Sequence, residues 1–305
     1  MTLVVVFNGQ GEQRREHVER LLCEAAPDRG EPLHTLLREQ GLRLDDITDE
    51  ELLANRVAQP VICAYQLAVW RRLAPDLPRP ALFAGYSLGE LTAFTCAGAI
   101  AADETVPLAA FRARVMDEAV AVPSGLLAIF GLEEQALRAL CQRHSVEIAI
   151  RNGRQSFIVG GSLDALMRVA EEAKEAGANR VTRLGVPTPS HTSLLADAAR
   201  RFGAELRAKM QGRLDIPALS GVDGRVVRSG RAALTALEQQ ISHTIDWAAC
   251  METIVSFRPN AVLEIGPGTA LSRLLRDLEP RLEVRAVDDF RLLGAAADWV
   301  RSRPA

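Results

Sequence analysis

Two rhythms of apolar and polar positions run through this chain. Leu3–Phe7 is a continuous apolar run rich in β-branched residues, the pattern of a strand buried on both faces. A second short run, Ala81–Ala84, ends in Gly85-Tyr86-Ser87-Leu88-Gly89-Glu90 and passes into an Ala-rich helical pattern, Leu91–Gly98. Pro217–Ser220, Ala261–Ile265 and Val284–Val287 repeat the strand signal, with a turn at Val222-Asp223-Gly224. Between them apolar residues recur at helical spacing. Val61–Leu73 carries Ile62, Tyr65, Val69 and Leu73 on one face, and Leu108–Val120, Leu194–Lys209, Leu234–Ser242 and Leu271–Leu278 read as helices too. Residues 15–56 are polar and helix-prone, with breaks expected at Pro27, Gly30, Pro32 and Gly41. Strand–helix alternation of this kind predicts an α/β fold with a parallel sheet covered on both faces.

Residues 124–186 keep a rhythm of their own. Strands are predicted at Leu126–Gly131, Val146–Ile150, Ser156–Gly160 and Arg180–Val186, with helices at Glu133–Arg143 and Leu163–Ala176. The order β-α-β-β-α-β is that of a ferredoxin-like unit. Pro123 and Pro187 bracket it. The predicted organisation is a core of residues 1–123 and 187–305 with a ferredoxin-like insert at 124–186.

Composition narrows the classes of function. The 305 residues are 48% apolar with a net charge of −3, so no basic field points to nucleic acid or an anionic membrane surface. The cysteines Cys23, Cys63, Cys96, Cys141 and Cys250 are odd in number and lack C-x-x-C spacing. That predicts a reduced, cytoplasmic protein without a disulfide framework or zinc site. The first residues lack the basic start of a signal peptide, and no apolar run approaches the ~20 residues of a membrane span.

Gly85-x-Ser87-x-Gly89 between a strand and a helix reads as a nucleophile elbow. A serine hydroxyl is a poor nucleophile at neutral pH and needs a base. His17, His34, His144 and His243 lie in polar or structural segments, whereas His191 sits in a Pro-rigid loop where the chain re-enters the core. No acid between Ser87 and His191 stands at a strand end; Asp103, Asp117 and Asp164 all fall in or beside helices. A hydrolase triad is therefore strained, and a backbone carbonyl is open as the orienter of the histidine. Gly9-x-Gly11 after the first strand invites a dinucleotide reading, but Arg14 stands where the third glycine belongs.

In order along the chain, Phe7-Asn8-Gly9-Gln10-Gly11-Glu12-Gln13, Gly85–Glu90, Phe111-Arg112-Ala113-Arg114-Val115-Met116, the segment from Asn152, Pro189-Ser190-His191 and Glu264–Gly268 resemble motifs of the malonyl-CoA:acyl-carrier-protein transacylases. The resemblance implies an α/β-hydrolase-like core with the ferredoxin-like insert. It implies Ser87 as nucleophile, His191 as general base and acid, and the backbone N–H groups of Gln10 and Leu88 as an oxyanion hole. It further implies Arg112 as the grip on the malonyl carboxylate, Tyr86, Met116, Asn152 and Ser190 as pocket residues, and a carbonyl near Asp246 as the orienter of His191. No resident cofactor or metal is implied; the partner is an acyl carrier protein bearing a phosphopantetheine-type thiol. Two positions depart from the family pattern: Asn8 stands where it has proline, and Tyr86 where it has histidine. The tail Ala286-Val287-Asp288-Asp289-Phe290-Arg291, with Ala297-Asp298-Trp299-Val300, is similar to malonate decarboxylase epsilon subunits, which load malonyl onto the decarboxylase's own carrier subunit.

Overall fold

A computed structural model of the chain describes residues 1–24 and 27–304, the side chains of residues 22–32 excepted. Among the described residues eleven strands form two sheets. They are β1 (Leu3–Phe7), β2 (Leu82–Gly85), β3 (Ser124–Phe130), β4 (Glu147–Gly153), β5 (Ser156–Ser162), β6 (Arg180–Arg183), β7 (Arg213–Leu219), β8 (Val226–Ser229), β9 (Ile245–Asp246), β10 (Ala261–Ile265) and β11 (Val284–Ala286).

The larger sheet runs β11-β10-β1-β2-β7-β8. It is parallel through its first five strands, and β1 lies in register with β10 from Leu3↔Ala261 to Phe7↔Ile265. The sixth, β8, is an antiparallel edge strand that the apolar pattern does not show. Alternate side chains of the central strands enter different cores, as the two-residue period of a strand requires. Leu3, Val5 and Phe7 meet the helix Asn55–Leu73 on one face; Val4 and Val6 point to the other.

The smaller sheet, β6-β3-β5-β4-β9, covers that other face. Its strands β3 to β6 are antiparallel. Leu126, Ala128, Ala149 and Ile158 join Val4, Val6, Leu82 and Ala84 in one core, with Trp247 fully buried among them. On its outer face Leu127, Ile129, Phe157 and Val159 pack under the helices Glu134–His144 and Leu163–Glu175. The fifth strand, β9, comes from outside 124–186 and pairs parallel to β4 at Ile150↔Ile245 and Arg151↔Asp246. The smaller sheet is thus tied by backbone pairing to a segment outside 124–186, and to the larger sheet by a shared apolar layer.

In the N-terminal stretch Pro27 is the first residue of the helix Pro27–Glu39, a position where its missing N–H costs nothing. Gly30 and Pro32 lie within that helix, and the chain turns at Gly41, with φ +77°. Among the described residues no helix is long and apolar enough to cross a membrane.

Candidate active site

The site begins where β2 ends. Ser87 has φ 53° and ψ −113°, and the helix Leu88–Cys96 starts at the next residue. So sharp a bend brings backbones together. A Cβ on Gly89 would sit 2.2 Å from the Phe7 carbonyl oxygen, and one on Gly85 2.2 Å from the Glu90 nitrogen. Both positions therefore need glycine. The elbow is pressed directly against the loop that follows β1.

His191 meets Ser87 across the cleft, its Nε2 2.8 Å from Oγ. Its backbone is also strained, with φ 65°. Ser87 and His191 are two of the four non-glycine residues with positive φ among the described residues, each costing of the order of 1–3 kcal/mol. The imidazole is held from behind by the C-terminal turn of the helix Gly230–Ser242. Nδ1 donates to the Gln240 carbonyl, and the His191 N–H donates to the Ile241 carbonyl at 2.9 Å. Carbonyls in a helix's last turn lack intrahelical partners, and the negative end of the helix favours an imidazolium as it forms. Burial pushes the His191 pKa down to about 3; the Gln240 carbonyl opposes this and Arg112 adds to it. At neutral pH the ring is neutral, with Nε2 free to accept the Ser87 proton.

The orienting carbonyl is thus Gln240's, which corrects the sequence reading that placed it near Asp246. The backbone of Ile245–Asp246 is already engaged with β4. The Asp246 side chain caps the helix Trp247–Ser256 through the Ala249 N–H at 3.1 Å and accepts from Arg151 at 3.4 Å.

Arg112 comes from the helix Thr105–Glu118 and is buried, with 2% of its surface exposed. Its guanidinium donates to Gln59 Oε1 at 2.8 Å and to Gln240 Oε1 at 3.4 Å. Its Nε has no partner among the described residues, and no carboxylate there pairs with it. Burial lowers its pKa to about 10, against the pull of Cys63 and Glu90. Glu90 itself is buried and pushed up to about 8, so it is mostly protonated at neutral pH. The site therefore holds a buried cation faced by neutral amides.

Gln240 links all three groups. Its main-chain carbonyl holds His191, its Oε1 faces Arg112, and its Nε2 donates to the Ser87 carbonyl at 3.0 Å. Neither Gln240 nor Gln59 stands out in the sequence. The available signal is a glutamine within an otherwise buried helical stretch, which holds for Gln59 between Ala58 and Pro60.

The remaining positions cluster around these. Among the described residues the backbone N–H groups of Gln10 and Leu88 donate to no protein acceptor, and Leu88 begins the elbow helix, where N–H groups and the dipole favour negative charge. Tyr86 bridges the two sheets: its hydroxyl donates to Asn152 Oδ1 at 3.1 Å and its ring stands edge-on to Trp247, centroids 5.3 Å apart. Met116 lies one turn beyond Arg112, its sulfur 3.9 Å from Gln59 Nε2. Ser190 is buried beside His191, its N–H on the Thr188 carbonyl at 2.8 Å. Other histidines are engaged elsewhere: His17 with Asp288 at 2.8 Å and His144 with Glu172 at 2.6 Å. Burial raises the thiol of Cys63 to about 12, so it is no rival nucleophile.

An activated hydroxyl, a neutral base, unpaired N–H donors and a buried cation allow acyl transfer of a carboxylated acyl group. Comparison with known proteins bears on that chemistry. Residues 4–295 match the family model described as the acyl transferase domain. The chain is 29% identical to the malonyl CoA-acyl carrier protein transacylase of Salmonella typhimurium, over 95% of this chain and 97% of that one. Among solved structures, MCAT from Mycobacterium tuberculosis superposes with a TM-score of 0.89 at 30% identity, covering 97% of this chain and 99% of its own. A malonyl-transacylase solved in complex with a type II PKS acyl-carrier protein gives a TM-score of 0.87 at 28% identity, over 98% and 99% of the two chains.

Proposed function

The chain belongs to the acyl transferase domain family, and from that premise we propose that it transfers malonyl from malonyl-CoA, through an ester on Ser87, to the thiol of an acyl carrier protein. One observation carries the reading: the Ser87–His191 pair, 2.8 Å apart, shares Gln240 with a buried arginine that has no carboxylate partner among the described residues. Such a cation fits an acyl group ending in a carboxylate. A planar guanidinium grips that group through two parallel bonds. An acetyl group leaves the cation unpaired and is disfavoured.

In the first half-reaction Ser87 Oγ attacks the thioester carbonyl while His191 Nε2 takes its proton. The oxygen, now negative, lies on the Gln10 and Leu88 N–H groups; such a donor is worth about 3–4 kcal/mol. The C–S bond then breaks, and CoA leaves as a thiol with the proton from His191. In the second half the carrier's thiol gives its proton to His191 and attacks the ester. Ser87 Oγ departs and recovers that proton. The two thiols belong to CoA and the carrier.

The general transacylase reaction is the leading reading because the relatives compared above are transacylases. The tail Ala286–Arg291 favours a second one, loading of a malonate decarboxylase carrier subunit. Charged enzyme offered both a phosphopantetheine carrier and a phosphoribosyl-dephospho-CoA carrier separates the two. Transfer to the first is expected; transfer to the second alone replaces the leading reading, and transfer to neither overturns both.

A further inference from the structure

Asn8 is buried, with 5% of its surface exposed, and each of its polar groups is engaged. Its N–H donates to the Ile265 carbonyl at 3.1 Å, extending the β1–β10 ladder by one residue. Its carbonyl accepts from Gln66 Nε2 at 2.7 Å. Its side-chain Nδ2 donates to the Pro267 carbonyl at 2.8 Å, and its Oδ1 accepts the Gly9 N–H at 2.8 Å. These bonds join the loop after β1 to the loop after β10, two segments far apart in sequence. The β10 loop is itself fixed: the Gly266 carbonyl accepts from Gln66 at 3.0 Å, and the Gly268 N–H donates to Asp288 Oδ2 at 2.7 Å. Asp288 also accepts from Tyr65 and Arg20 and pairs with His17.

What this network positions is the backbone two residues on. Gly9 lies against the elbow, where a Cβ would be 2.7 Å from the Tyr86 carbonyl oxygen, and Gln10 follows with its N–H unengaged among the described residues. A proline at position 8 would fix φ but could make neither the ladder bond nor the two side-chain bonds. This chain uses hydrogen bonds to neighbouring loops where a ring would restrict the backbone.

We propose that Asn8 is a positioning residue: through Pro267 and Gly9 it sets the place of the Gln10 N–H relative to Ser87. This rests on the reading of Gln10 as an oxyanion donor. A shift of about 1 Å at such a donor costs up to about 100-fold in rate.

The test is rapid-quench acylation of the full-length protein, wild type, Asn8→Ala and Asn8→Asp, with two acyl donors. Asn8→Asp keeps the acceptor facing Gly9 and removes the donor to Pro267. Malonyl-CoA probes the whole site; p-nitrophenyl acetate needs Ser87, His191 and the oxyanion donors but no carboxylate grip. The expected result is a rate roughly 10- to 100-fold lower with both donors, while KM and the burst amplitude per folded chain stay near wild type. A purely structural role lowers the amplitude and leaves the rate of the remaining active chains unchanged, and that result overturns the proposal. So does a wild-type rate in both variants. If wild type reacts with p-nitrophenyl acetate but not malonyl-CoA, the malonyl reading fails, and slower ester acylation in the variants still sustains the role of Asn8.

Discussion

Replacing Arg112 with methionine should separate the function of this cation from its cost to the fold. The substitution keeps an unbranched apolar stem and removes the charge. Burial lowers the pKa of Arg112 from 12.5 to about 10. Both folded and unfolded chains carry the charge at pH 7, so the whole shift opposes folding there, by about 3 kcal/mol at ~1.4 kcal/mol per unit. The loss on the other side is the donors to Gln59 and Gln240, 2.8 and 3.4 Å away. At about 1 kcal/mol for each amide oxygen left without its partner, that is about 2 kcal/mol. The difference leaves Arg112→Met as stable as wild type or about 1 kcal/mol more stable in urea unfolding. Activity should move the other way. Two charge-assisted bonds to the malonyl carboxylate, at ~1.5–3 kcal/mol each, are lost. Malonyl-CoA acylation should then fall roughly 10²- to 10⁴-fold, with acetyl-CoA acylation unchanged or faster. A destabilisation above about 2 kcal/mol, with both acyl donors slowed alike, would show that Arg112 is a structural cation and not the grip on malonyl.

Further outcomes concern His191, Glu90 and Gly89. With His191 held down to about 3, the acylation rate should stay flat as pH falls from 8 to 5; an acid limb at the ordinary value of 6.5 would contradict this. With the folded value at about 3 and the unfolded one at 6.5, the unfolded chain takes up the proton first, so this histidine lowers stability as pH falls from 6.5 towards 3. Glu90 acts in the opposite sense: raised from 4.5 to about 8, it ionises first in the unfolded chain and lowers stability as pH rises through that window. Glu90→Gln keeps an oxygen for the Gly221 N–H and should flatten the decline between pH 6 and 8 in urea titrations; an unchanged slope would remove Glu90 as its source. Gly89→Ala drives a Cβ to within 2.2 Å of the Phe7 oxygen and 2.6 Å of the Asn8 oxygen, so activity should drop at least about 100-fold; near-normal acylation would mean the elbow and the β1 loop can separate.

Much of this architecture is legible in the residues themselves. The β1 run is apolar at every position and the β10 run at every position but Glu264, because both faces are covered, and the elbow shows its two glycines. Strands β8 and β9 are not legible. Val226–Ser229 is half polar, and Ile245–Asp246 is only two residues long, so both exist through their partners. The site divides in the same way. Ser87, His191 and Arg112 carry chemistry in their side chains and stand in recognisable motifs. The carbonyl that orients His191 belongs to the backbone, which every residue shares, so its position follows only from where the helix Gly230–Ser242 ends. Gln59 and Gln240 escape notice because a helical pattern admits an occasional glutamine, and only packing shows them facing a buried cation.

Transfer by this route requires that the acyl group rest on Ser87 between two thiols. Intact mass and peptide mapping after incubation with malonyl-CoA test it most directly. One malonyl group per chain is expected, on the Ser87 peptide, absent in Ser87→Ala and discharged when carrier-protein thiol is added. No adduct, an adduct on another residue, or one that water removes as fast as the thiol does would contradict it.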